Sequence, residues 1–562
     1  MCIRDSILFV AVDDLRPSVG CYGDVLAVTP NIDRLARRGL RFERAYCQVA
    51  VCNPSRASLM TGQRPDKLGV WTLPIHFREA KPDAVTLPQW FRRFGYTAVS
   101  HGKIFHNPTP DPQSWSEPIR PLPRLPYAYP DGTRERIAAA MAELPAEDWR
   151  KNNLRGPISA APEVADNQLF DGARTDMAIE DLRRLGQREE PFFLAMGYIR
   201  PHLAWVAPKR YWDLHERGKF PTLSEERVNP NTPRYAMFSN REMAHYVDQV
   251  DFPEPWDERR PSGEEVQALL HAYYACVSYI DAQIGRLLDV LEEEGLADNT
   301  IVVLWSDHGW KLGEYAAWGK RTNYEIDTRV PLILSAPGMK TAGQQTESLA
   351  ELLDLFPTLC ELTGIERPEF VDGESLAPLL SDATAEVRSC AASQYFRRAG
   401  DREYMGYAIR TRRYRFVEWR DFGSGEVTAR ELYDHEADPR EQSNCIDTTD
   451  PAVIDELTSA LLKEHPRRSL EMLPAIHSSP VPGRQPVGLT FQNQAQSVIL
   501  INRIHSSGRR VWRGRNVRRL EPGRGLRFKG ARIGDVFVAE SEDGAIYEYH
   551  SPSYPGRPVV FK

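Results

Sequence analysis

Short stretches of this chain carry side chains whose types and placing could do chemistry together. Asp13 and Asp14 follow the apolar run "ILFVAV", and Asp307 and His308 follow "TIVVLWS". Runs of that length, rich in β-branched residues, read as buried strands. In open α/β sheets, ligands gather at the carboxyl ends of the strands. Carboxylates meeting there repel one another unless a cation joins them, and a hard divalent ion suits oxygen ligands. Either motif alone reads better as a solvated loop start with capping duties; their coincidence at two strand ends favours a metal. His308 is softer than calcium prefers, which leaves it either a ligand or a contact to substrate.

The stretch "QVAVCNPSRASLMTG" holds Cys52 ahead of Arg56. Pro54 fits a first helical turn and Gly62 fits its stop. Cys52 therefore belongs near a helix N-terminus, where backbone N–H groups favour an anion and lower a thiol's pKa. The bland alternatives are a buried thiol, half of a disulfide, or an idle surface cysteine. A cysteine phosphatase fits the chemistry, but its loop places five residues between Cys and Arg, and here only residues 53–55 intervene.

The elements that must position these residues alternate between strand and helix. "TPNIDRLARRG" reads as a helix from Thr29 to a stop at Gly39, and "VTLPQWFRRFGYTAVSHGKIFH" as helix, strand and polar loop. Residues 107–165 are Pro-rich and aperiodic, a long surface excursion. Then follow the helix "ARTDMAIEDLRRLGQ", the strand "PFFLAMGYI", a long helix within 264–294, the strand "VPLILSAP" and a helix around "LAELLDLFPTLCELTG". Such alternation predicts an α/β fold with a largely parallel sheet covered on both faces. From about 391 the pattern changes to short antiparallel strands with a terminal helix at "DELTSALLKEH". After the Pro/Ser-rich "SSPVPGRQPVG", residues 487–550 read as all-β, with a basic run at Gly508–Arg519.

With 562 residues, 41% hydrophobic and 27% charged, the chain is globular in composition and long enough for two or three domains. A net charge of -7 argues against a general nucleic-acid binder. No run of about 18 apolar residues is long enough to span a membrane. "MCIRDS" leads straight into the first strand without a signal peptide, which reads as a shortened start. The eight cysteines form no CxxC pair, so no thiolate zinc site is indicated, and a disulfide such as Cys390 with Cys445 stays open.

Cys52-Asn53-Pro54-Ser55-Arg56 resembles the C-x-P-S-R signature of the type I sulfatases, and "ASLMTG" continues it. "VDDLRPSVGCYG", "TPNIDRLARRG", "SDHGWKLGEYAAWGK", "DGESLAPLL" and "LYDHEADPRE" are also similar to sulfatase segments, so the resemblance covers about residues 7–465. "GKIFH", "GYIRPH" and "DHGW…WGK" are similar to iduronate-2-sulfatase-like members; many other sulfatases carry Asn where this chain has His308. The tail faintly resembles the β-domain of the von Hippel–Lindau protein.

The resemblance implies an alkaline-phosphatase/sulfatase-like fold, with a mixed, largely parallel sheet flanked by helices. It places a catalytic domain at 7–390 and a smaller α+β subdomain at 391–470, to which the residue pattern adds a linker at 471–486 and a small β-sandwich-like domain at 487–562. It further implies that a formylglycine-generating enzyme oxidises Cys52 to formylglycine, whose hydrate is the nucleophile. One divalent ion, Ca2+ or Mg2+, is held by Asp13, Asp14, Asp307 and His308 with the modified Cys52. Lys103 and Lys320 contact sulfate, Arg56 is a further cation, His202 or Lys320 protonates the leaving oxygen, and His106 is a second proton carrier. The substrate is a sulfated saccharide, and the location periplasmic or secreted. The rivals are a phosphonate or phosphate ester hydrolase on the same scaffold, and an inactive protein that binds sulfated glycans.

Overall fold

The computed structural model describes residues 5–107, 110–122, 132–145, 147–150, 153–222, 227–229 and 231–467, and beyond them the backbone of strands between Val487 and Phe561. Residues 1–4, the linker 471–486 and most of the basic run 508–519 lie outside the described residues. Residues 1–140 and 154–467 form one compact unit; residues 141–153 and 468–562 form another.

The first unit is built on an eight-stranded sheet. Its strands are β1 (Ser6–Val12), β2 (Leu40–Tyr46), β3 (Thr97–Gly102), β4 (Phe192–Tyr198), β5 (Thr300–Ser306), β6 (Arg329–Val330), β7 (Leu332–Ser335) and β8 (Gln345–Glu351). They run in the order β6-β2-β7-β5-β1-β4-β3, with β8 pairing with β2. Strands β5, β1, β4 and β3 are neighbours and mutually parallel, whereas β7 is antiparallel to both its partners. Val12 lies opposite both Ser306 and Tyr198, so the four parallel strands end together along one edge.

Alternation along β1 shows why the sheet is covered twice. Leu8, Val10 and Val12 join one apolar cluster, while Ile7, Phe9 and Ala11 join another. A side chain repeats its direction every second residue, and here both directions are buried, as an unbroken apolar run requires. The first cluster includes side chains of α1 (Pro30–Arg38), α3 (Phe170–Gly186) and α4 (Gly263–Glu293); the second includes those of α2 (Cys52–Thr61). Each fully buried aliphatic or aromatic side chain contributes about 1.5–3 kcal/mol.

Helix starts follow local chemistry. Ser262 and Glu265 form a capping box at the head of α4. The head of α1 is capped from afar: the Asp281 carboxylate, on α4, accepts from the N–H groups of Asn31 (3.0 Å) and Ile32 (2.7 Å). Two expected features come out differently. Of "LAELLDLFPTLCELTG", Leu349–Glu351 finish β8, and the α-helix spans only Leu355–Leu362. Ala350 and Glu351 pair in parallel with Ala45 and Tyr46, so the sheet ladder outweighs helix propensity there. Within the Pro-rich excursion a helix, Thr133–Glu143, forms from "TRERIAAAMAE". Its Ala-rich composition favours a helix, but no apolar stripe marks it.

A separate antiparallel meander follows: β9 (Ala391–Ala399), β10 (Arg402–Arg410), β11 (Tyr414–Asp421) and β12 (Val427–Asp434), then a helix, Pro451–Glu464. The suggested Cys390–Cys445 disulfide is not formed: both thiols are free. Cys390 adjoins β9, while Cys445 hydrogen-bonds through its N–H to Leu432 on β12. Three strand spacings, roughly 14 Å, separate those edges, beyond the reach of an S–S bond. The second unit contributes two further sheets from strands between Val487 and Phe561.

Between β3 and β4, Gly102 (φ +69) and Gly197 let the chains approach closely where β3 ends. A Cβ on Gly197 would lie 2.2 Å from the backbone carbonyl of Lys103. Gly197→Ala should therefore force the end of β3 aside and cost ~1–3 kcal/mol, read as a lower denaturant midpoint.

Candidate active site

The common edge of the four parallel strands collects the residues singled out from sequence. β1 delivers Asp13 and Asp14, β5 delivers Asp307 and His308, β3 leads to Lys103 and His106, and β4 leads to His202. Lys320 arrives from the loop after Trp318–Gly319. Asp14 holds φ +60, a left-handed conformation uncommon for a residue with a Cβ. Its backbone is held on both sides: its N–H donates to Asp307 Oδ1 (3.3 Å) and its carbonyl accepts from Tyr273 on α4 (2.9 Å).

Cys52 is the first residue of α2, buried, and Gly62 (φ +65) ends the helix in a left-handed cap. The ligand atoms of Asp13, Asp14, Cys52 and His308 all lie within 4.8 Å of one another. His308 Nδ1 faces the Gly309 carbonyl at 3.0 Å, so it carries a hydrogen, and Nε2 is turned to Cys52 Sγ at 3.3 Å. Asp307 borders this group, with Oδ1 3.6 Å from His308 Nε2. Asp13 Oδ1 is buried without a hydrogen-bond partner.

The cations take distinct places. Lys103 Nζ pairs with Asp13 Oδ2, and Lys320 Nζ with both oxygens of Asp14 at 2.6 and 2.9 Å. Arg56 lies beneath, with no solvent exposure. Its Nε donates to Asp307 Oδ2 at 2.7 Å, Nη2 lies 3.5 Å from Asp13 Oδ1, and Nη1 donates to the carbonyls of Lys103 and Ile104. One guanidinium thereby ties β1, β5 and the end of β3 together.

Burial raises both aspartates, yet they diverge. Lys103, His202 and Arg56 overcome burial and hold Asp13 well below the usual carboxylate range. Asp14 stays well above it, because burial and the neighbouring Asp13 charge outweigh Lys320. Asp13 thus stays ionised while Asp14 favours its protonated form, a preference that a bound cation would reverse. Burial lowers His308, but Asp307 and Cys52 bring it up to about 9. Burial, then Lys103, lowers His106 to about 4; burial, then Lys320, brings His202 well below its ordinary value. Against burial, Asp13 raises Lys103 and Asp14 raises Lys320.

Several supporting residues escaped the sequence reading. Asp171 accepts from the N–H groups of Ile199 and Arg200, fixing the loop that carries His202. Glu242 lies 3.5 Å from both His202 Nε2 and Lys320 Nζ. It sits outside the main-sheet strands and matches no motif; its one signal is "NREM" in an otherwise irregular stretch.

Strand ends that gather acids, lysines and a helix-start cysteine define a hydrolase with the alkaline-phosphatase/sulfatase architecture. The profile described as Sulfatase matches residues 5–365, and that described as N-sulphoglucosamine sulphohydrolase, C-terminal, matches residues 313–467. The chain belongs to the sulfatase family and is a sulfuric ester hydrolase. It is 33% identical over 511 residues to iduronate 2-sulfatase of Mus musculus, covering 78% of this chain and 90% of that protein. It is 32% identical over 513 residues to that of Homo sapiens, with the same coverage of 78% and 90%. In fold it is similar to a protein solved with its substrate D-glucosamine-2-N,6-O-disulfate, with TM-score 0.63, 24% identity, and 83% of this chain and 98% of that one covered. It is also similar in fold to the phosphonate monoester hydrolase of Agrobacterium radiobacter, with TM-score 0.62, 22% identity, and 82% and 96% covered.

Arg56→Lys should be severely destabilising. An ammonium cannot span two carboxylates and two carbonyls, and a broken buried pair costs ~3–5 kcal/mol. Thermal unfolding of the variant should show a midpoint lowered accordingly.

Proposed function

We propose that the enzyme removes sulfate from a sulfated saccharide, in the manner of an iduronate-2-sulfatase-like hydrolase, using a formylglycine made from Cys52 and one divalent ion. The observation that carries this reading is the buried meeting of Cys52 with Asp13, Asp14 and His308 within 4.8 Å, beside Lys103 and Lys320. The donor set fits a metal ion. It offers carboxylate oxygens, among them an Asp13 Oδ1 without a hydrogen-bond partner, and an imidazole Nε2 that faces Cys52 Sγ and the Asp14 and Asp307 oxygens. Asp13, Asp14, Asp307 and His308 would hold Ca2+ or Mg2+, together with the side chain at position 52. When bound, the ion supplies neutralisation of the carboxylates and polarisation of a sulfate oxygen. The aldehyde hydrate, produced by a formylglycine-generating enzyme, supplies one hydroxyl for attack on sulfur and a second for release of sulfate.

The remaining work falls to ordinary side chains. Lys103 and Lys320, kept charged by Asp13 and Asp14, take the sulfate oxygens. Arg56 holds the carboxylates in register from below. His202 or Lys320 gives a proton to the leaving oxygen, and Asp14 and Glu242 hold the Lys320 ammonium in place. His106, with its pKa about 4, is neutral near pH 7 and available to take a proton. The domain boundaries at 390, 470 and 486 and a periplasmic or secreted location belong to the same proposal. Among the described residues no helix is long and apolar enough to cross a membrane.

Mass spectrometry of the peptide containing position 52 from active enzyme should show the thiol-to-aldehyde mass change, and Cys52→Ala should lose at least roughly 10⁴-fold in rate. Full activity in that variant ends the reading. Metal analysis should find one divalent ion per active chain, and Asp13→Asn should lower both content and rate. A panel of defined sulfated saccharides, with aryl phosphate and phosphonate diesters alongside, should show sulfate esters turned over best. Truncation near Pro482 should leave hydrolysis of a small sulfate ester nearly intact; its loss in a folded product would place the tail in the active site.

A further inference from the structure

Arg321 is a charged side chain at the site that the fold does not employ. It follows Lys320 and holds φ +85, a left-handed conformation that strains a residue with a Cβ. Strain of this kind persists where the surroundings enforce it, and it gathers at binding sites. The enforcing contact comes from Arg397, whose Nη2 donates to the Arg321 carbonyl and whose Nε donates to that of Tyr235 at 2.7 Å. Arg397 also lies over the Tyr395 ring, 4.1 Å from its centroid, so it is committed to backbone and packing.

The Arg321 guanidinium has no such commitment. It lies over the Phe238 ring, 4.8 Å from the centroid, with the Arg397 guanidinium 5.1 Å from the same centroid. Its Nε is buried without a hydrogen-bond partner, while the side chain as a whole is 25% exposed. The carboxylate it faces, Glu242 Oε2, stands 3.9 Å from Nη2, too far to accept a hydrogen bond. The other oxygen of that carboxylate, Oε1, lies 3.5 Å from Lys320 Nζ. Glu242 is thus shared between Lys320 and Arg321, and Arg397 hydrogen-bonds to carbonyls, which leaves this side of the site short of negative charge. A guanidinium offers its donors in a planar fork that matches the oxygens of a carboxylate or a sulfate.

We propose that Arg321 is a specificity-determining residue: it binds a second anionic oxygen group of the saccharide, a carboxylate or another sulfate, while Lys320 takes the sulfate to be cleaved. The proposal deepens the sulfated-saccharide reading and rests on it. Lys320 and Arg321 face opposite oxygens of one carboxylate, so a single sugar ring with two anionic substituents can reach both. The Phe238 ring steadies the guanidinium from one face and leaves its N–H edge for the ligand.

The test uses full-length metal-loaded enzyme and a set of related substrates. These are a sulfated hexuronic acid, the same sugar with its carboxylate reduced to the alcohol, and that reduced sugar carrying a second sulfate. The wild-type enzyme should favour a doubly anionic sugar over the reduced monosulfate in kcat/KM. In Arg321→Gln that preference should fall by ~10–10²-fold, the loss typical of a hydrogen bond to a charged group. A fall in the acid-to-alcohol ratio assigns the subsite to a carboxylate; a fall in the disulfate-to-monosulfate ratio assigns it to a sulfate. Arg321→Lys keeps the charge and loses the fork. It should recover part of the preference, and it serves if the Gln variant does not fold. A merely structural role would lower turnover of all the sugars equally, so unchanged ratios in a folded variant with normal metal content overturn the proposal. A wild-type enzyme with neither preference overturns it too. If the wild-type enzyme cleaves a phosphonate diester and none of the sulfated sugars, the sulfated-saccharide reading fails first and takes this proposal with it.

Discussion

The structure depends on a charge balance at the joined ends of β1 and β5. Asp13, Asp14 and Asp307 are buried within a few ångströms of one another, and Arg56, Lys103 and Lys320 are buried against them. Taking each charge out of water costs several kcal/mol, and the pairings recover that cost only when the geometry is held closely. At an effective dielectric near 20, a unit pair 4 Å apart is worth about 4 kcal/mol, so one misplaced partner changes the balance appreciably. Everything around the cluster serves to hold those positions: parallel strands in register, a left-handed turn at Asp14, and a guanidinium tied to three segments.

The same balance explains the chemistry that fits here. Asp13, Asp14, the side chain at position 52 and His308 bring their ligand atoms within 4.8 Å of one another, a donor set suited to a divalent ion. In the proposed reaction a sulfate ester would add a further negative group, which Lys103 and Lys320 would meet. The buried Arg56 is committed to protein carboxylates and carbonyls, so the spacing from Cys52 to Arg56 is a matter of architecture as much as of substrate contact. One turn of helix brings the helix-start cysteine above the cluster while the arginine reaches below it.

Much of this was legible in the residues. Apolar runs of strand length ending in Asp-Asp or Asp-His announced β1 and β5, because side-chain alternation and burial on both faces leave few other folds for such runs. Helices stop at Gly39 and Gly62 as expected, Gly62 by a left-handed cap and Gly39 in extended backbone packed against the Leu334 carbonyl. The failures have identifiable causes as well. Leu349–Glu351 joined a strand because pairing with β2 is a long-range contact that local propensity cannot register. The Cys390–Cys445 pairing failed because the order of strands in the meander, unknown from spacing, sets the two residues at opposite edges.

By itself the sequence determined the alternating architecture, the position of Cys52 at a helix start, and the kinds of side chain the site would contain, since these depend on local periodicity and residue chemistry. Only the tertiary structure decided which groups meet. That Arg56 lies beneath the carboxylates, that Asp281 caps a helix 250 residues away, and that Glu242 joins His202 and Lys320 follow from how strands order and loops close over them. A buried charge acquires its role from partners distant in the chain, and the free energy that selects those partners exists only once the chain has excluded water around them.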